Sequence, residues 1–367
     1  MPACWQIPRG ILAAALLVLP PTCTKHPVGQ PPQAATQLPT LTLPASAVID
    51  LDPRAPAVPS PADTLRVAAV QTCNFNDGVL RSAAREIADK TAKVIDYIQR
   101  AAELGAEIAV FPEMVLTRYD VALIRNGTAA DISVAESRIA AACKASSIWA
   151  IVGLPKYMPI GQTPTQATCN NDATWWNTAL VFNDQGAKVY RQAKLRCGGP
   201  DGQLGQWLDT WQGPKNITSS LQICADAGDP NIVRLPAFKG AKVIYDISAE
   251  SGIDAFTKMA PYEAQYMARA HESGSYLVQA NVGATKSPGS ASRLGWQLDV
   301  QGGSHGNSLV IAPDGNLIIK APVFGEHIVL QDLDLRKASS NGRYGPHEFM
   351  RPWYEAGQQI LSRMPID

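Results

Sequence analysis

Between residues 67 and 332, short apolar runs rich in β-branched residues alternate with stretches of helical period. That alternation folds into layered α/β structure rather than a helix bundle or an all-β barrel. Residues 67–71 (VAAVQ) read as a buried strand. Ala84, Ile87, Ala88, Val94, Ile95, Ile98 and Ala102 then mark one face of a helix that Gly105 ends. Further strands are expected at 108–111, 149–152, 179–182, 189–192, around Ile223, and at 243–248, 276–280, 308–312, 317–320 and 327–332. Asn-Asp-Gln-Gly at 183–186 and Pro-Asp-Gly at 313–315 are hairpin signals, so some neighbouring strands run antiparallel.

The chain ahead of this region has another character. Residues 11–19 (ILAAALLVL) form a continuous apolar run, shorter than the roughly 20 residues a membrane span requires, and read as the core of a secretory signal over residues 1–22. Eleven of the 28 prolines fall between Pro20 and Pro61, so residues 23–63 are expected to be an extended, disordered tether. Cys23 stands where an exported lipoprotein carries its acylated cysteine, although Pro-Pro-Thr before it is a poor lipidation signal. Residues 64–367 then make one large α/β domain, and the protein is expected to be exported: periplasmic, extracellular or held to a membrane by a lipid on Cys23.

Charge narrows the partner. Thirty-two basic residues balance 32 acidic ones without long runs of either sign, which disfavours nucleic acid and points to a small molecule. The five histidines have no metal-ligand spacing, and no Gly-rich phosphate loop follows a first strand, so neither metal nor cofactor is expected. Among seven cysteines, Cys169 and Cys197 flank a predicted hairpin and are the first choice for a disulfide.

Three expected strands end in a reactive side chain: Glu113 after AVFP, Lys194 in VYRQAKLR, and Cys224 in LQICAD. Strand ends are where α/β sheets present catalytic groups. A thiol is a good nucleophile once a base removes its proton; a carboxylate can serve as that base, and a lysine ammonium can hold an oxyanion. Each residue also has an ordinary reading, Cys224 as a small core residue, Glu113 as a solvated cap and Lys194 as a surface lysine.

The segments around these residues resemble the nitrilase, or carbon-nitrogen hydrolase, superfamily. The likeness runs through LRVAAVQTC at 65–73, GAEIAVFPEMVLTRY at 105–119, WNTALVF at 176–182, YRQAKLR at 190–196, ICAD at 223–226, GAKVIYDISAESG at 240–252, RAHESGSYLVQAN at 269–281 and GNSLVIAPDGNLI at 306–318. It implies a four-layer α-β-β-α sandwich, with Glu113 as general base, Lys194 as oxyanion lysine and Cys224 as nucleophile. It also implies a homodimer or larger assembly, and an amide, in preference to a nitrile or carbamoyl compound, as substrate. Tyr119 matches a tyrosine found shortly after the family's first Glu; Tyr119, Ala225 and Trp176 are candidates for the substrate pocket, and Trp175 could wall it beside Trp176, although two aromatics starting a strand usually serve packing.

The chain departs from the family pattern in three places. The Tyr and Arg that usually follow the nucleophile are absent, residues 195–223 hold no Glu to accompany the lysine, and the loop at 155–175 is long and polar. Asp209, in GQWLDTW, is expected to replace the missing Glu; Asp201, in the turn-like CGGPDG, ranks second because Asp in turns caps its own backbone. Two other readings remain: a hydrolase pairing Cys224 with His271 or His305, and a non-catalytic binding protein on the same scaffold.

Overall fold

A computed structural model describes residues 47–49, 62–73, 82–158, 169, 174–199, 201–250, 256–284 and 306–339. The expected signal, Cys23 and most of the tether lie outside them. In chain order the described elements are β1 (Ala47–Ile49), β2 (Thr64–Gln71), α1 (Ala83–Glu103), β3 (Ile108–Val110), α2 (Val121–Asn126), α3 (Ala129–Ser146), β4 (Trp149–Tyr157), β5 (Trp175–Phe182) and β6 (Lys188–Ala193). They continue with β7 (Trp211–Gln212), β8 (Thr218–Ile223), α4 (Pro230–Phe238), β9 (Val243–Ser248), α5 (Phe256–Ser273), β10 (Tyr276–Asn281), β11 (Leu309–Ile311), β12 (Leu317–Lys320) and β13 (His327–Asp334).

The strands form two mixed sheets, in the orders β1-β13-β2-β3-β4-β5-β6 and β12-β11-β10-β9-β8-β7. Alternation along each strand builds the layers, because successive side chains point to opposite faces. On β2, Val67 and Ala69 face the second sheet and share a core with Leu221, Ile223, Tyr245 and Val278. Ala68 and Val70 face the other way, onto Ile87, Val94 and Ile98 of α1 and Ile132 and Ile139 of α3. The outer face of the second sheet packs Leu277, Leu309 and Ile311 against Tyr266 and Ala270 of α5. The resulting four layers are the expected α-β-β-α sandwich.

Local signals set the elements. Ser82 caps α1 by accepting a hydrogen bond from Arg85 N, and α1 buries Ile87, Thr91, Val94, Tyr97, Ile98 and Ala101 along a single stripe. Ala84, expected on that face, is exposed. Thr128 and Asp131 form a reciprocal capping box at the start of α3. The two predicted hairpins join β5 to β6 and β11 to β12, with Gly186 and Gly315 in left-handed conformation. Trp211 stacks at about 6 Å centroid separation on Trp149 and Tyr190 of the first sheet and on Tyr245 of the second, joining the layers at one end.

The sheet also reaches further upstream than expected. Ala47–Ile49, inside the stretch read as tether, lies parallel to β13 with Ala47 opposite His327 and Ile49 opposite Val329.

Candidate active site

The chain leaves β3 through Phe111 and Pro112 into a tight turn in which Met114 (φ 51°) and Arg118 (φ 57°) both take left-handed backbone. Side-chain-bearing residues hold that conformation at a cost of about 1 kcal/mol or more each, and such outliers gather at functional sites. Gly153 on β4 lets the turn lie close: a Cβ there would stand 2.6 Å from Met114 N and Pro112 O. The turn brings Glu113 and Tyr119 to one point, where the Tyr119 hydroxyl lies 2.5 Å from Glu113 Oε1.

Lys194, the residue after β6, reaches the same point and is 1% exposed. Its Nζ donates to Glu113 Oε1 at 2.7 Å, and to Tyr119 Oη and Asp201 Oδ1 at 3.1 Å each. These three acceptors match the three hydrogens of an ammonium. Burial pulls the Lys194 pKa down, but Glu113 leads the negative groups that outweigh it, and the net direction is upward: the lysine is held charged. Asn177 Nδ2, from β5, lies within 2.7 Å of Glu113 Oε1 and Tyr119 Oη and 3.0 Å of Asp201 Oδ1. Tyr119 Oη is also 2.6 Å from Asp201 Oδ1, so its single proton can serve one carboxylate at a time. Glu113 Oε2 accepts from Ala249 N at 2.9 Å.

Cys224 comes from the second sheet. It begins a 3-10 turn just past β8 with φ 50°, a sharp left-handed elbow that leaves the side chain half-buried. Asp226 ties this elbow to the lysine segment: its Oδ1 accepts from Leu195 N (2.9 Å) and Arg196 N (2.8 Å), and its Oδ2 from Ile223 N (3.1 Å). Burial pushes the Asp226 carboxyl up to about 7, although the three backbone donors favour its ionised form. Burial, then the nearby Glu113 carboxylate, drives the Cys224 thiol well above its usual pKa against the pull of Lys194. The resting sulfur is therefore a thiol, and attack requires a base that accepts its proton as the new bond forms.

Glu113, Tyr119 and Asp201 thus all meet Lys194 beside the Cys224 elbow. The ranking of the two aspartates is reversed. Asp201 is fully buried, and burial raises its pKa less than Lys194 and its hydrogen bonds from Tyr119, Asn177 and Gly198 lower it, so it stays ionised. Asp209 is exposed and pairs with Lys239 on the surface. The physical reason is that the chain past Cys197 and Gly198 returns to Lys194 at Asp201, whereas the segment leading to Trp211 runs along the outside. Trp176 is also corrected. It neighbours Asn177 on β5 and so points to the opposite face, while Trp175 packs with Met114, Tyr119 and Ala249.

Ala225 sits against the lysine loop, where a Cβ on Gly198 would approach Ala225 Cβ to 2.7 Å and Lys194 Nζ to 3.1 Å. His271 Nδ1 donates to Asp314 O in the β11-β12 turn, at the end of the second sheet opposite Cys224, which removes it as a partner for the thiol. His305 lies outside the described residues. Sequence reasoning missed Asn177 and the Ala249 N–H. The asparagine's position inside an apolar strand, in WNTALVF, was the available signal.

A four-layer sandwich bearing this constellation defines the class, and solved structures agree on the fold. An amidase of the nitrilase superfamily from Nesterenkonia sp. is similar at 21% identity with a TM-score of 0.61, covering 81% of this chain and all of that one. The Saccharomyces cerevisiae nitrilase-superfamily protein Nit3 is similar at 17% identity and a TM-score of 0.58, covering 79% of this chain and 94% of that one. Residues 66–341 match the carbon-nitrogen hydrolase model, and the chain belongs to that family. Among curated proteins, a formamidase of Allorhizobium ampelinum is 25% identical over 167 residues, 44% of this chain and 45% of that protein. A formamidase of Bacillus cereus is 31% identical over 117 residues, 30% of this chain and 31% of that protein. The matches therefore span less than half the length of these relatives.

Proposed function

We propose that this protein is an exported thiol amidase that hydrolyses a small primary amide through a Cys224 acyl-enzyme. The observation that carries the reading is the fully buried Lys194–Glu113 pair, 2.7 Å apart, beside a thiol presented on a left-handed elbow. Glu113 takes the Cys224 proton as Sγ bonds to the amide carbon, and the Lys194 ammonium, with the Ala225 N–H, holds the developing oxyanion. Glu113 returns the proton to the departing nitrogen, the C–N bond breaks, and ammonia leaves behind a thioester. Water then gives a proton to Glu113 and adds to the thioester; the C–S bond breaks, the acid leaves, and Cys224 recovers its proton.

Similarity to formamidases supports an amide in preference to a nitrile. In the Nesterenkonia amidase, the acetamide moiety of fluoroacetamide adds covalently at the active site cysteine, and variants bind acrylamide and butyramide. The apolar run at 11–19 and the Cys169–Cys197 disulfide support an oxidising compartment outside the cytosol. The test is ammonia release from formamide, acetamide, propionamide and butyramide, with intact mass spectrometry for an acyl adduct on Cys224. Hydrolysis with an adduct of matching mass is expected; nitrile turnover without amide turnover would overturn the reading.

Asp201→Asn is expected to lower kcat roughly tenfold or more, about 1.4 kcal/mol in the barrier, because Lys194 loses an ionised partner. Asp209→Asn should leave kcat unchanged. Steady-state ammonia release on both variants decides between them, and equal losses would show that surface charge alone matters.

A further inference from the structure

Lys194 and Asp201, seven positions apart in the chain, meet at the site. The loop leaving Lys194 is fixed by Asp226, through Leu195 N and Arg196 N. The return is fixed past Asp201, where Gln203 N donates to Trp175 O (2.8 Å) and Gly205 N to Lys194 O (2.7 Å). Between these anchors the loop is held by two features. Gly198 N donates to Asp201 Oδ2 at 2.7 Å, and Cys197 is bonded to Cys169 with their Cα atoms 5.6 Å apart. Cys169 N also donates to Gly202 O at 3.1 Å. Residue 169 therefore grips the loop on both sides of Asp201, covalently at 197 and by a hydrogen bond at 202.

Building on the reading of Lys194 as the oxyanion-binding cation, we propose that the Cys169–Cys197 disulfide positions Asp201 on Lys194, so that its reduction lowers turnover without unfolding the domain. The bridge is reachable: Cys197 is exposed and Cys169 half-buried. A dithiol supplies the two electrons. One of its thiolates attacks a bridge sulfur, the S–S bond breaks, and a mixed disulfide forms; its second thiol displaces the remaining cysteine. The dithiol ends as a cyclic disulfide, and Cys169 and Cys197 end as thiols. Cys224 is already a thiol and is unchanged by this step. The free loop keeps its anchors at 195, 196, 203 and 205 but loses the covalent tie that backs the Gly198–Asp201 and Cys169–Gly202 hydrogen bonds, and a displacement of about 1 Å at Asp201 is enough to cost a large factor in rate.

The test compares the full-length protein before and after dithiothreitol, well below its unfolding temperature. The expected result is a fall in kcat on the order of tenfold with little change in KM, reversed by reoxidation. Cys169→Ser/Cys197→Ser should show the same low kcat and no response to the dithiol. Because the bridge acts through Asp201, reduction should cost Asp201→Asn no further activity. Amide hydrogen exchange gives an independent readout: Gly198 N–H should lose protection on reduction while β8 and β9 keep theirs. A lowered melting temperature with unchanged kcat would reduce the bridge to a structural staple and overturn the proposal. Losses that simply add to those of Asp201→Asn would do the same. Absence of amide turnover in the oxidised protein would refute the amidase reading instead, and unchanged Gly198 protection would then still refute positioning by the bridge.

Discussion

Replacing Cys224 by Ala is expected to abolish turnover, by on the order of 10⁵-fold or more, while leaving the fold intact. The residue is half-buried at the margin of the core between the two sheets, and alanine, a small apolar residue, keeps the Cβ that packs there. The left-handed backbone at 224 already carries a Cβ, so alanine adds no new strain. Neither Ser220 nor Ser248 can substitute: both are buried within strands, and Ser248 is engaged with Asp246. The measurement is ammonia release, intact mass after amide exposure, and a thermal melt. Activity above a few per cent of the parent, or an acyl adduct elsewhere on the chain, would exclude a Cys224 thioester.

Glu113→Gln is expected to be nearly as severe, with kcat lower by about 10³-fold. The change is close to isosteric, yet both carboxylate oxygens act only as acceptors here. Oε1 faces Lys194, Tyr119 and Asn177, and Oε2 faces the Ala249 N–H. Whichever way a glutamine is turned, its NH₂ group meets a donor, and no base remains to take the thiol proton. Removing the carboxylate also removes a charge that holds the Cys224 pKa high. The pH at which iodoacetamide labels Cys224 should therefore move down even as hydrolysis collapses. Stopped-flow acylation and a labelling profile against pH measure the two effects; rapid acyl-enzyme formation in the variant would place the base elsewhere.

Much of the fold was legible because its strands are either continuously apolar or bounded by turn residues, as at 243–248 and 317–320. The reactive residues were legible because each closes such a strand. What escaped reflects information the chain carries only once folded. Asp201 and Asp209 are both acids on the way from Lys194 to β8, and only the doubling-back at Gly198 and Gly199 brings Asp201 home. Trp175 and Trp176 are equivalent neighbours in the sequence, and only the pairing of β5 with β4 and β6 decides which of them shares the inward face of Asn177. Ala47–Ile49 is a three-residue strand in proline-rich surroundings, too short for any period to register. The Ala249 N–H is a backbone group, invisible to any reading of side chains.

That short strand has a bearing on how the molecule keeps to itself. The parallel pairing of β1 occupies backbone donors and acceptors on the outer side of β13 at His327–Val329, which would otherwise stand at the rim of the remaining six-stranded sheet. An open rim of that kind recruits whatever extended peptide comes near, including the same strand of another copy. A segment with too little apolar surface to fold by itself thus acts as a guard against aggregation. A chain cut back to residue 62 would keep its chemistry but expose a template for growth, so its cost would be paid in solubility rather than in catalytic rate.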